Sequence, residues 1–99
     1  MRLLLRFSIE DLYLLVLLNQ GLTISLCAKK LYISQPAISQ KLKRLRDGLD
    51  CPMHEASGRT ARLTDEGKKL AEATLLALQI LDAGLPVKRE PPEILGALK

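Results

Sequence analysis

Apolar residues recur along this chain at the three- and four-residue spacing of helices, in four blocks parted by short polar breaks. The first block is Ile9, Leu12, Tyr13, Val16 and Leu17. Ser8 precedes it as an N-cap with an acid, Asp11, three positions on, and Gly21 follows Asn19-Gln20 as a stop. A helix over Ile9–Asn19 is predicted. Ile24, Cys27, Ala28 and Leu31 follow the cap candidate Thr23 and predict a short helix over Ile24–Tyr32. Ile38, Leu42, Leu45 and Leu49 are the buried stripe of a third helix. Ser34 caps it, and Pro36 falls in its first turn, where a missing N–H costs nothing. Gly48 and Asp50-Cys-Pro52 end it. Thr64 caps a fourth helix, with Asp65 and Glu66 in its first turn, that runs to Asp82-Ala-Gly84.

Between the third and fourth blocks, Met53–Ala56 and Thr60–Leu63 read as two short strands around a Ser57-Gly58 turn. The fourth helix is more apolar than a small core requires. Leu63, Gly67, Leu70, Thr74, Ala77 and Leu81 form one stripe, and Ala71, Leu75 and Leu78 a second beside it. The excess implies a partner helix, most simply from a second copy, with Leu70, Thr74, Ala77, Leu78 and Leu81 as dimerisation residues. Leu85–Lys99 holds three prolines and a mixed-charge cluster and reads as an extended linker. The expected division is 1–63 as a winged helix-turn-helix, 64–84 as a linker and dimerisation helix, and 85–99 as a hinge segment. The expected fold class is mainly α, three helices and a small β-hairpin wing followed by the long helix.

Charge turns this pattern toward a polyanion. The net charge of +4 is uneven along the chain. Residues 29–62 hold eight basic residues against three acidic, while the flanking stretches are near neutral. A concentrated basic patch on a small domain is the footprint of a polyanion partner, although charge alone favours a merely solvated helix face, so the residues between the charges decide. At 100° per residue, Pro36, Gln40, Lys43 and Asp47 lie opposite the buried stripe of the third helix, with Ser39 on the flank and Gln35 in the open first turn. Residues 35–46 contain no acid. Polar uncharged residues at the start of a helix and basic ones further along suit a helix that reads base edges and touches phosphates. Base reading is thus expected from Gln35, Pro36, Ser39 and Gln40. Phosphate or wing contacts are expected from Ser34, Lys41, Lys43, Arg44, Arg59 and Arg62.

Other chemistry is thinly represented. With 99 residues and 11.0 kDa, the chain has room for one domain. Three aromatics and no Trp argue against a stacking platform for single strands. The one histidine, His54, has no Asp, Cys or Ser cluster near it, so no enzyme is expected. Cys51-Pro-Met-His54 offers two ligands, too few to close a tetrahedral metal site. Neither a metal nor a cofactor is implied. Cys27 and Cys51 read as reduced thiols, and Cys27 as a small core residue. No apolar run reaches the ~20 residues of a membrane span, and a cytoplasmic protein is expected.

Three motifs in order carry a resemblance: Ser34-Gln-Pro-Ala37 with Ser39, then Ser57-Gly-Arg59, then Leu63-Thr-Asp-Glu-Gly67. Over about Ile9–Asp82 the chain resembles the DNA-binding domain of a LysR-type transcriptional regulator. The resemblance implies a winged helix-turn-helix and linker helices that pair two chains into a homodimer on double-stranded DNA. The site is expected to be an interrupted palindrome, and Gln35, Pro36 and Ser39 to enter the major groove. It also implies an effector domain, with a small-molecule co-inducer and commonly a tetramer, beyond this chain. Gly96-Ala-Leu-Lys99 resembles the opening of that domain's first strand, so the chain is expected to be the DNA-binding part of a longer protein. Three positions and one short stretch depart from the family's habit. Gln40 stands where Arg is frequent, Leu22 where Gly is common and Arg46 where Glu is common; Met53-His-Glu-Ala56 replaces Leu-Phe-x-Arg. The competing expectation is a dimeric winged-helix module that binds proteins without reading DNA.

Overall fold

A computed structural model describes residues 6–57 and 60–86. Among these, four helices and one hairpin follow in order: α1 (Ile9–Asn19), α2 (Ile24–Leu31), α3 (Gln35–Gly48), β1 (His54–Ser57), β2 (Thr60–Leu63) and α4 (Asp65–Gly84). The fold is a winged helix-turn-helix with a long C-terminal helix, the expected class. The strands pair antiparallel from His54 opposite Leu63 to Ser57 opposite Thr60. The first strand thus begins one residue later than expected and takes Ser57 into the ladder. Gly58 and Arg59, and with them the expected turn and one wing arginine, lie outside the described residues. So does the hinge segment beyond residue 86, including Gly96–Lys99.

Local chemistry sets the helix ends. Ser8 and Asp11 form a reciprocal capping box: Asp11 N–H donates to Ser8 Oγ at 3.0 Å, and Ser8 N–H donates to Asp11 Oδ2 at 3.2 Å. Thr23, Ser34 and Thr64 each accept the N–H three residues on. Gly21, at φ 91°, closes α1. Its N–H reaches Leu18 O and that of Leu22 reaches Leu17 O, the paired bonds of a Schellman motif that needs a left-handed residue. Tyr32 plays the same part after α2 at φ 58°, so α2 stops one residue short of its expected end.

Helix α1 departs most from its sequence pattern. Its expected inward set was Ile9, Leu12, Tyr13, Val16 and Leu17. In the fold Leu14 and Leu15 are fully buried and Leu18 nearly so, while Ile9 is half exposed. The cause is position: α2, α3, β2 and α4 all pack on α1, so its middle, from Leu12 to Leu18, buries aliphatics beyond a single stripe, while Ile9 at its start stays half exposed. Ile38, Leu42 and Leu45 of α3 complete this core, with Phe7, Met53, Ala61, Leu63 and Ala71. Leu49, expected in the α3 stripe, is only partly buried at that helix's end.

Helix α4 turns a mixture of its two expected stripes toward the core. Gly67, Ala71 and Thr74 are buried. Leu70 and Leu78 are half-buried, and Ala77 is exposed. Leu76 and Ile80, in neither expected stripe, are more exposed than Leu75 or Leu81. The apolar excess of α4 is therefore real, and it is wider than the heptad-like spacing suggested.

Candidate nucleic-acid interface

The interface is built on α3. Its core stripe fixes which residues face outward, and Gln35, Pro36, Ser39, Gln40 and Lys43 are all exposed. The Ser34 hydroxyl oxygen accepts the Ala37 N–H at 3.2 Å, so Ser34 acts first as the cap that starts the helix. Lys43 lies one turn from Asp47 at 4.0 Å, with both side chains well exposed. Such a pair holds Lys43 weakly and leaves its ammonium available. Arg62 is exposed on β2.

Lys41 is a correction. It was expected among the phosphate contacts, but its side chain is buried. Its Nζ donates to Asp11 Oδ1 at 2.8 Å and pairs with Glu10 Oε1 at 2.8 Å. At 100° per residue, position 41 falls about 40° from Leu45, at the edge of the buried stripe. Arg44 is partly diverted in the same way. Its Nε and Nη2 donate to Asp11 at 3.1 and 3.2 Å, although half of its side chain remains exposed. Burial pushes the Asp11 carboxyl pKa up. Hydrogen bonds from Arg44, Lys41 and the Ser8 N–H, with the charge of Lys41, outweigh this and hold it at about 2. No sequence pattern announced this cluster, because its partners lie 30 and 33 residues apart.

The wing is tied to both neighbouring helices. Thr64 donates its hydroxyl to Pro52 O at 2.7 Å while accepting the Gly67 N–H, and its own N–H donates to Met53 O at 3.0 Å. On the α3 side, Arg46 donates from Nη2 to His54 Nε2 over 3.4 Å. That contact needs the neutral ring with its hydrogen on Nδ1, and buried Nδ1 has no partner. Burial and the adjacent Arg46 charge lower the His54 pKa from 6.5. A His whose folded pKa is lowered contributes full stability above pH 6.5 and loses it as pH falls from there toward the lowered value. Urea denaturation at pH 8 and pH 5 is expected to show this loss. His54→Phe is expected to reduce the difference between the two pH values, and an unchanged difference would count against the assignment.

The expected dimerisation residues form one surface. Leu70, Thr74, Ala77, Leu78 and Leu81 line an apolar groove together with Ala73 and with Ile9 and Leu12 of α1. Thr74 lies at the groove floor, buried, whereas Leu81 is half exposed at its rim. Among the described residues no group of three or more His, Cys, Asp or Glu could hold a metal ion, and no helix is long and apolar enough to cross a membrane.

A helix with a polar, acid-free leading face, preceded by a short helix and followed by a basic hairpin, defines a winged helix-turn-helix domain. The model of bacterial regulatory helix-turn-helix proteins of the lysR family matches residues 9–68. The chain belongs to that family, the one its three motifs resemble. A probable RuBisCO transcriptional regulator of Emiliania huxleyi is 35% identical over 66 residues, 67% of this chain and 21% of that protein. The crystal structure of the probable transcriptional regulator PA0477 from Pseudomonas aeruginosa superimposes with a TM-score of 0.71 at 33% identity, over 85% of this chain and 28% of that one. The CbnR DNA-binding domain, solved in complex with DNA, shares the fold at 23% identity with a TM-score of 0.68, covering 78% of this chain and 88% of that one. The chain thus spans about a fifth of the length of the first of these proteins.

Proposed function

We propose that this chain is the part of a bacterial transcriptional regulator that binds double-stranded DNA sequence-specifically. The observation that carries the reading is the leading face of α3. Gln35, Pro36, Ser39 and Gln40 are all exposed there, with Lys43 behind them and no acid before Asp47. Glutamine amides can pair with adenine edges in the major groove, serine hydroxyls with several bases, and lysine with phosphate. Arg44, Arg62 and Arg59 are the further phosphate candidates. Residues 1–63 act as the DNA-binding unit, 64–84 as the linker helix, and 85–99 as a hinge toward an effector domain that takes a small-molecule co-inducer. The protein works in the cytoplasm.

Selection from random duplex DNA tests the reading and is expected to return one preferred sequence. Against it, Gln35→Ala should cost about 1–3 kcal/mol, with little effect on random DNA. Lys43→Ala should weaken both alike. Equal losses on both DNAs for Gln35→Ala would remove that residue from the reading face.

The functional unit in this reading is a homodimer joined through α4. The exposed Leu76, Ile80, Leu81 and Leu85 and the adjoining groove support it, since such surface is rarely left to water. Two recognition helices related by a two-fold axis call for an interrupted palindrome. Sedimentation at micromolar concentration is expected to give a dimer. Leu81→Glu, at a half-exposed rim position, is expected to give a folded monomer. A monomeric unmodified chain would refute the dimer and favour a single half-site.

A further inference from the structure

The core stripe of α3 is aliphatic: Ile38, Leu42 and Leu45. Aliphatic burial is non-directional: it holds the helix against the core through packing, without a bond that singles out one rotation or height. Base reading tolerates no such freedom, because hydrogen bonds weaken steeply with angle and distance. A directional tie lies beside the stripe. One carboxylate, Asp11 of α1, is 2% exposed and receives Lys41 Nζ on Oδ1 at 2.8 Å and Arg44 Nε on Oδ2 at 3.1 Å. Arg44 Nη2 also reaches Oδ1, at 3.2 Å. The carboxylate itself cannot swing, since Oδ2 also accepts the Ser8 N–H in the capping box. Two cations one turn apart on α3 thus meet two oxygens of a single fixed acid. Lys41 directly follows Ser39 and Gln40 in the chain, and Arg44 lies one turn beyond Gln40.

A buried ion pair of this kind adds little net stability over well-packed apolar side chains, so stability alone does not account for it. We propose that Asp11 is a positioning residue for sequence recognition: through Lys41 and Arg44 it fixes the rotation and height of α3, and so the register in which Gln35, Ser39 and Gln40 meet base edges. This rests on the DNA-reading function proposed above. It assigns specificity to a buried acid on a helix that presents none of the proposed reading residues.

The test removes the tie without stranding a buried charge, since Arg44 and Glu10, which lose their partners, are each about half exposed. Asp11→Leu combined with Lys41→Met replaces the buried pair by apolar side chains in the 99-residue chain. The double variant loses the cap acceptor of the Ser8 N–H, but it is expected to fold cooperatively and to bind random duplex DNA within about twofold of the unmodified chain, because the exchange of a buried pair for apolar groups is itself near neutral. Its preference for the selected sequence over random DNA is expected to fall about tenfold, the scale of one lost base contact. A folded double variant with undiminished preference overturns the proposal while leaving the DNA-reading function intact. If the unmodified chain itself shows no preference for any duplex, both fail together. Should the double variant not fold, Asp11→Asn, which keeps the volume and the cap acceptor, serves instead. Backbone amide resonances of Ser39 and Gln40 in DNA-free protein are then expected to shift, together with the lost preference, and unmoved resonances overturn the proposal.

Discussion

Asp11→Ala is expected to lower the stability of this domain by about 3–5 kcal/mol, the range for breaking a buried ion pair from one side. A small domain has only about 5–15 kcal/mol in all, so the variant should give up a large fraction of its stability. The loss has two sources. Lys41 keeps its buried ammonium but retains only Glu10, whose side chain is 46% exposed. The capping box also loses the acceptor for the Ser8 N–H. Acid should produce a milder form of the same effect. The Asp11 pKa is lowered from 3.8 to about 2, so its contribution is complete above pH 3.8 and is lost as pH falls through about 2. That shift corresponds to about 2 kcal/mol. Urea denaturation at pH 7 and near pH 2 measures it, and Asp11→Ala should lack that part of the acid sensitivity. A stability change below 1 kcal/mol for Asp11→Ala would mean that the pair is dispensable.

Gly67→Ala is expected to cost about 3 kcal/mol or more, at the upper end of overpacking. A Cβ at this position on α4 would overlap the carbonyl oxygen of Met53 and lie 2.9 Å from its carbonyl carbon. That obstacle is backbone, and it is held in place because Thr64 N–H donates to the same oxygen. The first turn of α4 would have to move away from the base of the wing, and DNA affinity should fall with stability. Gly84→Ala is the control. It lies at the end of the same helix with nothing within 4 Å of an added Cβ, and is expected to stabilise by a few tenths to about 1 kcal/mol. Thermal unfolding compares the two, and equal effects would show that the close approach at Gly67 is not limiting.

The helices were legible because their signals are local. Ser8, Thr23, Ser34 and Thr64 each satisfy an N–H three residues away, so the caps can be read from a four-residue window. Gly21 closes α1 for an equally local reason. The hairpin was harder to see, since a four-residue strand has little pattern, and its pairing placed the start of β1 at His54 rather than Met53. The exposed face of α3 followed from helical angle and the stripe of Ile38, Leu42 and Leu45.

What one helix's pattern cannot reveal is what the other helices bring to it. Lys41 and Arg44 looked available for phosphate because residues 35–46 hold no acid, yet both meet an acid contributed by α1. His54 and Arg46 were visible as departures from the family's usual residues, but only packing set them 3.4 Å apart, with the second ring nitrogen unpartnered. Periodicity and capping act over a few residues, so they were enough for the helices, their caps, the leading face of α3 and the apolar excess of α4. Packing between elements settled how much of α1 is covered, which acid meets which base, and which part of α4 faces the core. Those outcomes depend on how elements far apart in the chain stack, and burial, not local spacing, then determines which charges must be paired.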